Sequence, residues 1–124
     1  MKLARFYLWG VGVLTLAFGL GYLIAPAALA EPAGFGVLGP SATTDVRATY
    51  GGFQIGMGAF LVWAAQAEER FRMALVLVAL SIGAVFMSRV IGLVVDGELS
   101  DFHRMGLVFE ASLTAATVVV LRRL

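Results

Sequence analysis

Two charged side chains, Arg89 and Glu110, lie inside apolar sequence on either side of a short polar turn at residues 96–101. A helical rise of about 1.5 Å per residue places both groups roughly 10 Å from the ends of that turn. An unpaired charge at the centre of a membrane helix costs about 3 kcal/mol or more. We therefore expect the two side chains to face each other as an ion pair between neighbouring helices.

Three interpretations of this pair remain open on the sequence alone. The pair can be purely structural and fix the register of two helices. Alternatively, Arg47 and Arg89 outnumber Glu110 and leave excess positive charge in a pocket, which would bind the polar head group of a lipid-like amphiphile. A third interpretation is proton or ion movement along Glu110, His103 and Asp96. The opposite half of these helices offers only threonine side chains for such a path.

Catalytic and metal chemistry find little support in the sequence. There is no cysteine and only one histidine, so we expect no disulfide, no metal site and no cofactor. Ser88 and Ser112 lack the strand–turn–helix elbow of an activated serine. An enzymatic function is still possible on the sequence alone. A cleft with His103 within hydrogen-bonding distance of Glu110 would favour catalysis.

The composition is that of a membrane protein. Hydrophobic residues make up 60% of the 124 residues and charged residues only 14%, whereas a typical soluble domain is about a quarter charged. A formal net charge of +1 without a basic stripe excludes a nucleic-acid partner. We predict one all-α transmembrane domain over residues 1–124, with helices at about 3–25, 44–66, 69–96 and 101–122.

The first apolar segment has no charged residue from residue 6 to residue 30. It also resembles a secretory signal with a small-residue cleavage site at residues 28–30, but it is longer than the roughly 7–15 residues of a signal core, so a membrane helix is preferred. A loop at residues 26–43 contains all three prolines. This loop either lies on the membrane surface or covers the mouth of the bundle.

The second helix is expected to begin near Thr43 or Thr44, either of which can cap it. Five of its residues recur at three- and four-residue steps and should share an inward face: Arg47, Tyr50, Gly51, Gln54 and Gly58. Gly52 and Gly56 form a small-xxx-small pattern that favours close helix packing. The second and third helices should form a tight antiparallel hairpin.

The third helix should end at Gly97, with Arg89 and Asp96 on the same side of it. Ser100 can cap the fourth helix, with Asp101 in its first turn. Small and polar residues then recur along one face of this helix: His103, Gly106, Glu110, Thr114 and Thr117.

The distribution of basic residues predicts the topology. One side of the membrane would hold Lys2, Arg5, Arg70, Arg72, Arg122 and Arg123, and the other side Arg47, Arg89 and Arg104. The positive-inside rule therefore places both termini in the cytoplasm. The remaining polar residues then lie in the outer half: Asp45, Arg47, Gln54, Arg89, Asp96, Asp101, His103 and Glu110.

The chain resembles a bacterial family of small four-helix membrane proteins, domain of unknown function family 4345. The matching segments are residues 45–52 (DVRATYGG), residues 89–92 (RVIG) with Asp96 and Gly97, and Glu110 in the last helix. The resemblance covers nearly the whole chain. It implies a four-helix membrane bundle in which Arg47, Arg89 and Glu110 are shared polar positions, and it implies no activity.

We therefore expect an up-down-up-down four-helix bundle in a bacterial inner membrane, crossing it several times, with an outward-facing polar pocket. The expected function is non-catalytic binding or handling of a membrane lipid or other amphiphile. The alternative is a structural or accessory subunit of a homo-oligomer or larger membrane complex. The predicted pocket residues are Arg47, Tyr50, Gln54, Arg89, Asp96, His103 and Glu110.

Overall fold

The computed structural model describes all 124 residues, and it contains helices and turns but no strand. Three helices are long and apolar enough to cross a membrane: Lys2–Ile24, Glu68–Asp96 and Asp101–Arg122. The absence of strands confirms the all-helical prediction. The length and composition of the three helices indicate a membrane protein.

The chain forms four long helical segments and one short helix. Helix α1 is Lys2–Ile24, and the short α2 is Pro26–Ala30, followed by a 3₁₀ turn at Glu31–Ala33. Helix α3 runs continuously through Pro40–Val46, a π-helical segment Arg47–Gly52 and Phe53–Ala64. A 3₁₀ turn at Glu68–Arg70 leads into α4, Phe71–Asp96, and the last helix is α5, Asp101–Arg122.

The expected start of α3 at Thr43 or Thr44 is wrong, because the helix begins at Pro40. Proline suits the first turn of a helix, where its missing N–H needs no partner and its φ is already helical. The threonine hydroxyls donate to backbone carbonyls one turn earlier, Thr43 to Gly39 at 2.9 Å and Thr44 to Pro40 at 3.1 Å. Neither threonine is therefore a cap.

The turn between α4 and α5 follows the sequence prediction. Gly97 adopts the left-handed conformation with φ of 76° and ends α4, a conformation that glycine reaches without steric cost. The Ser100 hydroxyl accepts a hydrogen bond from the His103 backbone N–H at 3.3 Å and caps α5. The cap fixes the position of His103 at the start of the helix.

The helices associate mainly as two pairs, α1 with α3 and α4 with α5. The expected tight hairpin of the second and third long helices, α3 and α4, is therefore wrong. The two pairs meet at one end, where a buried apolar cluster joins the beginnings of α1 and α4 to the ends of α3 and α5. We call this the closed end, and its cluster contains Leu8, Leu61, Phe71, Leu75 and Val120.

Backbone contact through glycines holds α1 against α3. A Cβ added at Gly19 would lie 2.8 Å from the Gly51 carbonyl oxygen, and one added at Gly58 would lie 2.8 Å from the Gly12 carbonyl oxygen. The predicted close-packing residues Gly52 and Gly56 meet nothing within 4 Å. The Gly52 and Gly56 pattern is therefore not the packing surface, whereas Gly51 and Gly58, which the sequence predicted to face inward, contact α1.

Away from the closed end, the two pairs separate. The face of α4 that packs in the core includes Phe71, Leu75 and Val78, all of them buried. The same face continues two turns later at Val85, which is 45% exposed and lines an open cleft together with Arg89. We call this the open end.

The segment between α1 and α3 bridges the two pairs. Its 3₁₀ turn Glu31–Ala33 contacts α5, and Tyr22 of α1 donates to the Leu29 carbonyl at 3.1 Å. Phe35 lies edge-on to the Tyr50 ring, with centroids 6.0 Å apart. Part of the predicted loop is therefore helical and reaches across the open end.

We predict that Gly58→Ala destabilises the protein by about 1–3 kcal/mol, because the new methyl group would meet the backbone of α1. The Cβ would lie 2.7 Å from the Leu16 backbone nitrogen. Gly56→Ala is the matched control and should be neutral or slightly stabilising, since alanine is the better helix former. Thermal unfolding in detergent checks the pair, and equal melting temperatures would contradict the glycine interface.

Candidate functional site

Arg89 and Glu110 form the buried ion pair that the sequence predicted. Arg89 Nε donates to Glu110 Oε2 at 3.0 Å, and the terminal Nη2 donates to Oε1 at 2.5 Å. The side chains are only 19% and 8% exposed. Such a two-point contact fixes the planes of both groups, and removing one partner of a buried pair typically costs about 3–5 kcal/mol.

His103 completes this cluster by binding Arg89 rather than Glu110. Arg89 Nη1 lies 2.9 Å from His103 Nδ1. Arginine only donates hydrogen bonds, so Nδ1 must accept and the imidazole carries its proton on Nε2. The arrangement that would have favoured an enzyme, His103 bonded to Glu110, is not formed.

Gly106 makes room for the Arg89 guanidinium against the backbone of α5. A Cβ at this position would lie 2.9 Å from both Cζ and Nε of Arg89. Any larger residue would therefore push the guanidinium away from Glu110. The Phe102 ring lies on another side of Arg89, with its centroid 5.9 Å from Cζ. Gly106 and Glu110, one helical turn apart, both contact Arg89, which accounts for two residues of the polar face predicted for α5.

The cleft at the open end has a volume of about 580 Å³. Its apolar and small lining residues are Ala84, Val85, Gly92 and Leu93. Its polar lining residues are Ser88, Arg89, Asp96, Glu98 and His103. The polar groups concentrate towards the turn after α4, so the cleft is apolar at its inner part and polar at its mouth.

The other predicted pocket residues lie on α3, outside the lining of the cleft. Arg47 Nε donates to the Leu23 carbonyl at 2.9 Å and so satisfies one of the free carbonyls at the end of α1. Tyr50 is 36% exposed and stacks on Tyr22 with ring centroids 5.2 Å apart. Gln54 makes no side-chain hydrogen bond with Arg89 or Glu110.

Tyr50 lies where α3 departs from regular α-helical geometry. Tyr50 belongs to the π-helical segment, in which the Phe53 N–H donates to the Ala48 carbonyl. Single π turns inside α-helices occur frequently at functional sites. In the sequence, only the two adjacent glycines that follow Tyr50 point to this irregularity.

The expected excess of positive charge in the pocket is wrong. Arg89 is the one cationic residue of the lining, and Glu110 already balances it. Arg47 contacts the end of α1 instead. Asp96 and Glu98 also line the cleft, and neither forms an ion pair. The mouth of the cleft is therefore acidic.

Sequence reasoning missed a second polar contact, which joins the two helix pairs near the closed end. The Tyr7 hydroxyl lies 2.6 Å from the Thr117 hydroxyl, and Thr117 Oγ1 donates to the Leu113 carbonyl at 2.7 Å. Only the position of Thr117 on the polar face of α5 pointed to this contact. It ties α1 to α5 below the cleft.

We predict that Gly106→Ala destabilises the protein by about 1–3 kcal/mol, because its methyl group displaces the Arg89 guanidinium. The cost should disappear in an Arg89→Met, Glu110→Gln background, where no guanidinium occupies that space. Thermal unfolding of the four proteins measures this coupling. Gly92→Ala serves as control, since its Cβ would meet only Asp96 Oδ2 at 3.8 Å. An equal cost in both backgrounds would contradict the assignment.

The chain is similar to one family of known proteins. The family model described as Domain of unknown function (DUF4345) matches residues 3–121, which confirms the resemblance seen in residues 45–52 and 89–92. No curated protein and no solved structure matches the chain. The protein therefore belongs to the DUF4345 family.

Proposed function

We propose that the four long helical segments cross a bacterial inner membrane as an up-down-up-down bundle with both termini in the cytoplasm. The pairing of α1 with α3 and of α4 with α5 supports this topology. The basic residues cluster at the closed end, around both chain termini and the turn before α4. The cleft at the open end then faces outward.

This topology predicts opposite labelling of two turns. The chain has no cysteine, so a single introduced cysteine reports the side of the membrane on which its turn lies. Glu98→Cys, in the turn after α4, should react with a membrane-impermeant maleimide in intact spheroplasts. Glu69→Cys, in the turn before α4, should react only after permeabilisation. The reverse pattern would place the termini outside, and labelling of both turns in intact spheroplasts would rule out the proposed bundle.

We propose that the protein binds an amphiphilic small molecule in the cleft without transforming it. The observation that carries this proposal is the form of the cleft, which is apolar beside Val85 and polar beside Arg89 and His103. Ligand sites are typically concave, mostly apolar and supplied with a few converging polar groups. An acyl tail would lie along the apolar part, and the polar head would lie at the mouth.

Hydrogen-bond donors remain available at the polar part. Arg89 uses three of its five N–H groups, two on Glu110 and one on His103, so two remain for a ligand. His103 offers its Nε2–H in addition. These donors support recognition of an oxygen-bearing head group.

The same hydrogen bonds argue against catalysis. A general base needs a free lone pair, but the accepting nitrogen of His103 is already bonded to Arg89. Glu110 is 8% exposed and accepts from two nitrogens of Arg89. Ser88 lines the cleft with no base hydrogen-bonded to it. Binding is therefore the function that this geometry supports best.

We predict that Val85→Trp, which fills the cleft, lowers retention of co-purified amphiphile by at least about fivefold, or about 1 kcal/mol. Val94→Trp is the matched control, because Val94 is 80% exposed and does not line the cleft. Native mass spectrometry and lipid extraction of the purified proteins measure retention. Equal retention by both variants and wild type would contradict binding in the cleft.

The second candidate is a structural or accessory subunit in which the Arg89–Glu110 pair only fixes the helix register. A separate apolar surface on α5 favours it, since Met105, Val108 and Phe109 are exposed there. These side chains would dock on another copy or on a larger membrane complex. Purified wild type that retains no amphiphile and co-purifies with a stable partner would favour this candidate over ligand binding.

A further inference from the structure

We propose that the head group bound in the cleft is zwitterionic, with its anionic oxygens beside Arg89 and its ammonium group beside Asp96 and Glu98. Phosphoethanolamine has this form, and its primary ammonium, unlike the quaternary ammonium of phosphocholine, can donate hydrogen bonds to the two carboxylates. The inference rests on the proposed binding of an amphiphile and specifies which amphiphile the cleft accepts.

The mouth of the cleft provides carboxylates without cations. Asp96 and Glu98 both line the cleft, and neither has a basic partner within ion-pair distance. Arg89 does not neutralise them, because its own charge is balanced by Glu110. An ammonium group at this position would supply the missing positive charge.

Arg89 and His103 provide hydrogen-bond donors in the same cleft. The two remaining N–H groups of Arg89 and the Nε2–H of His103 require oxygen acceptors. Guanidinium N–H groups bind phosphate oxygens with directional, charge-assisted hydrogen bonds. Glu110 already balances the charge of Arg89, so contact between Arg89 and a phosphate depends on these hydrogen bonds and not on excess positive charge in the cleft.

Both sets of groups line the same cleft, which has a volume of about 580 Å³. Asp96 lies on α4 together with Arg89, and its Oδ2 lies 3.8 Å from the position of a Cβ on Gly92, so the carboxylate points back along the helix towards Arg89. One head group that carries both an anionic and a cationic group can therefore contact both sets.

Other head groups satisfy only part of the cleft. A purely anionic head group would reach Arg89 but would lie beside the carboxylates of Asp96 and Glu98, which have no cationic partner and would repel it. A purely cationic head group would leave the donors of Arg89 and His103 without acceptors. A head group with both charges, in this order, satisfies both sets.

The test compares phosphatidylethanolamine with phosphatidylglycerol of identical acyl chains, added to detergent-solubilised full-length protein and followed by native mass spectrometry. Wild type should retain phosphatidylethanolamine at least about fivefold more strongly. The Asp96→Asn, Glu98→Gln double variant should lose this preference, while Asp45→Asn, an exposed acid that does not line the cleft, should keep it.

The outcomes separate this inference from the proposed function. Retention of both lipids without preference, or a preference that survives in the double variant, would overturn the zwitterion assignment and leave amphiphile binding intact. Retention of neither lipid would overturn both. Glycerophosphoethanolamine, which has no acyl chains, should fail to compete, since the tail contributes affinity. Full competition by that soluble molecule would show that the ligand is not a lipid.

Discussion

A charged guanidinium inside apolar sequence long enough to cross a membrane must be compensated by neighbouring groups, because hydrocarbon provides no compensation. Arg89 meets this requirement through Glu110 and His103, both on the next helix. The three side chains and Gly106 form one unit, in which Gly106 provides the space, Glu110 the charge and His103 an additional acceptor. This unit sets the register of α4 against α5 and thereby the shape of the open end.

The two helix pairs are held by different interactions. Glycines bring the backbones of α1 and α3 into direct contact, which favours dispersion forces over side-chain interdigitation. The ion pair and its neighbours hold α4 to α5. The pairs join each other through the apolar cluster at the closed end and through Tyr7 and Thr117. Because these contacts do not extend to the open end, a cleft remains beside the ion pair.

The ion pair gives the cleft its chemical character. It places a cation at the cleft without a net positive charge, and it holds the imidazole of His103 in one tautomer. The wall therefore offers fixed donors, while Asp96 and Glu98 at the mouth have no basic partner. Arg89, His103 and Glu110 are engaged in hydrogen bonds with one another, which suits donation by Arg89 and His103 more than proton transfer through Glu110.

The sequence by itself determined the membrane environment, the helical class, the family and the pairing of Arg89 with Glu110. Apolar length and the cost of an isolated buried charge leave few alternatives on these points. Local signals also determined the ends of α4 and α5, through Gly97 and Ser100. Periodicity also placed Gly51 and Gly58 on the inward face of α3. Only the tertiary structure decided which helices pair, that Gly52 and Gly56 lie outside the interface, and that Arg47 contacts the end of α1. The π turn changes the helical phase assumed in reading α3, and side-chain partners across helices depend on rotation and separation, which periodicity alone does not specify.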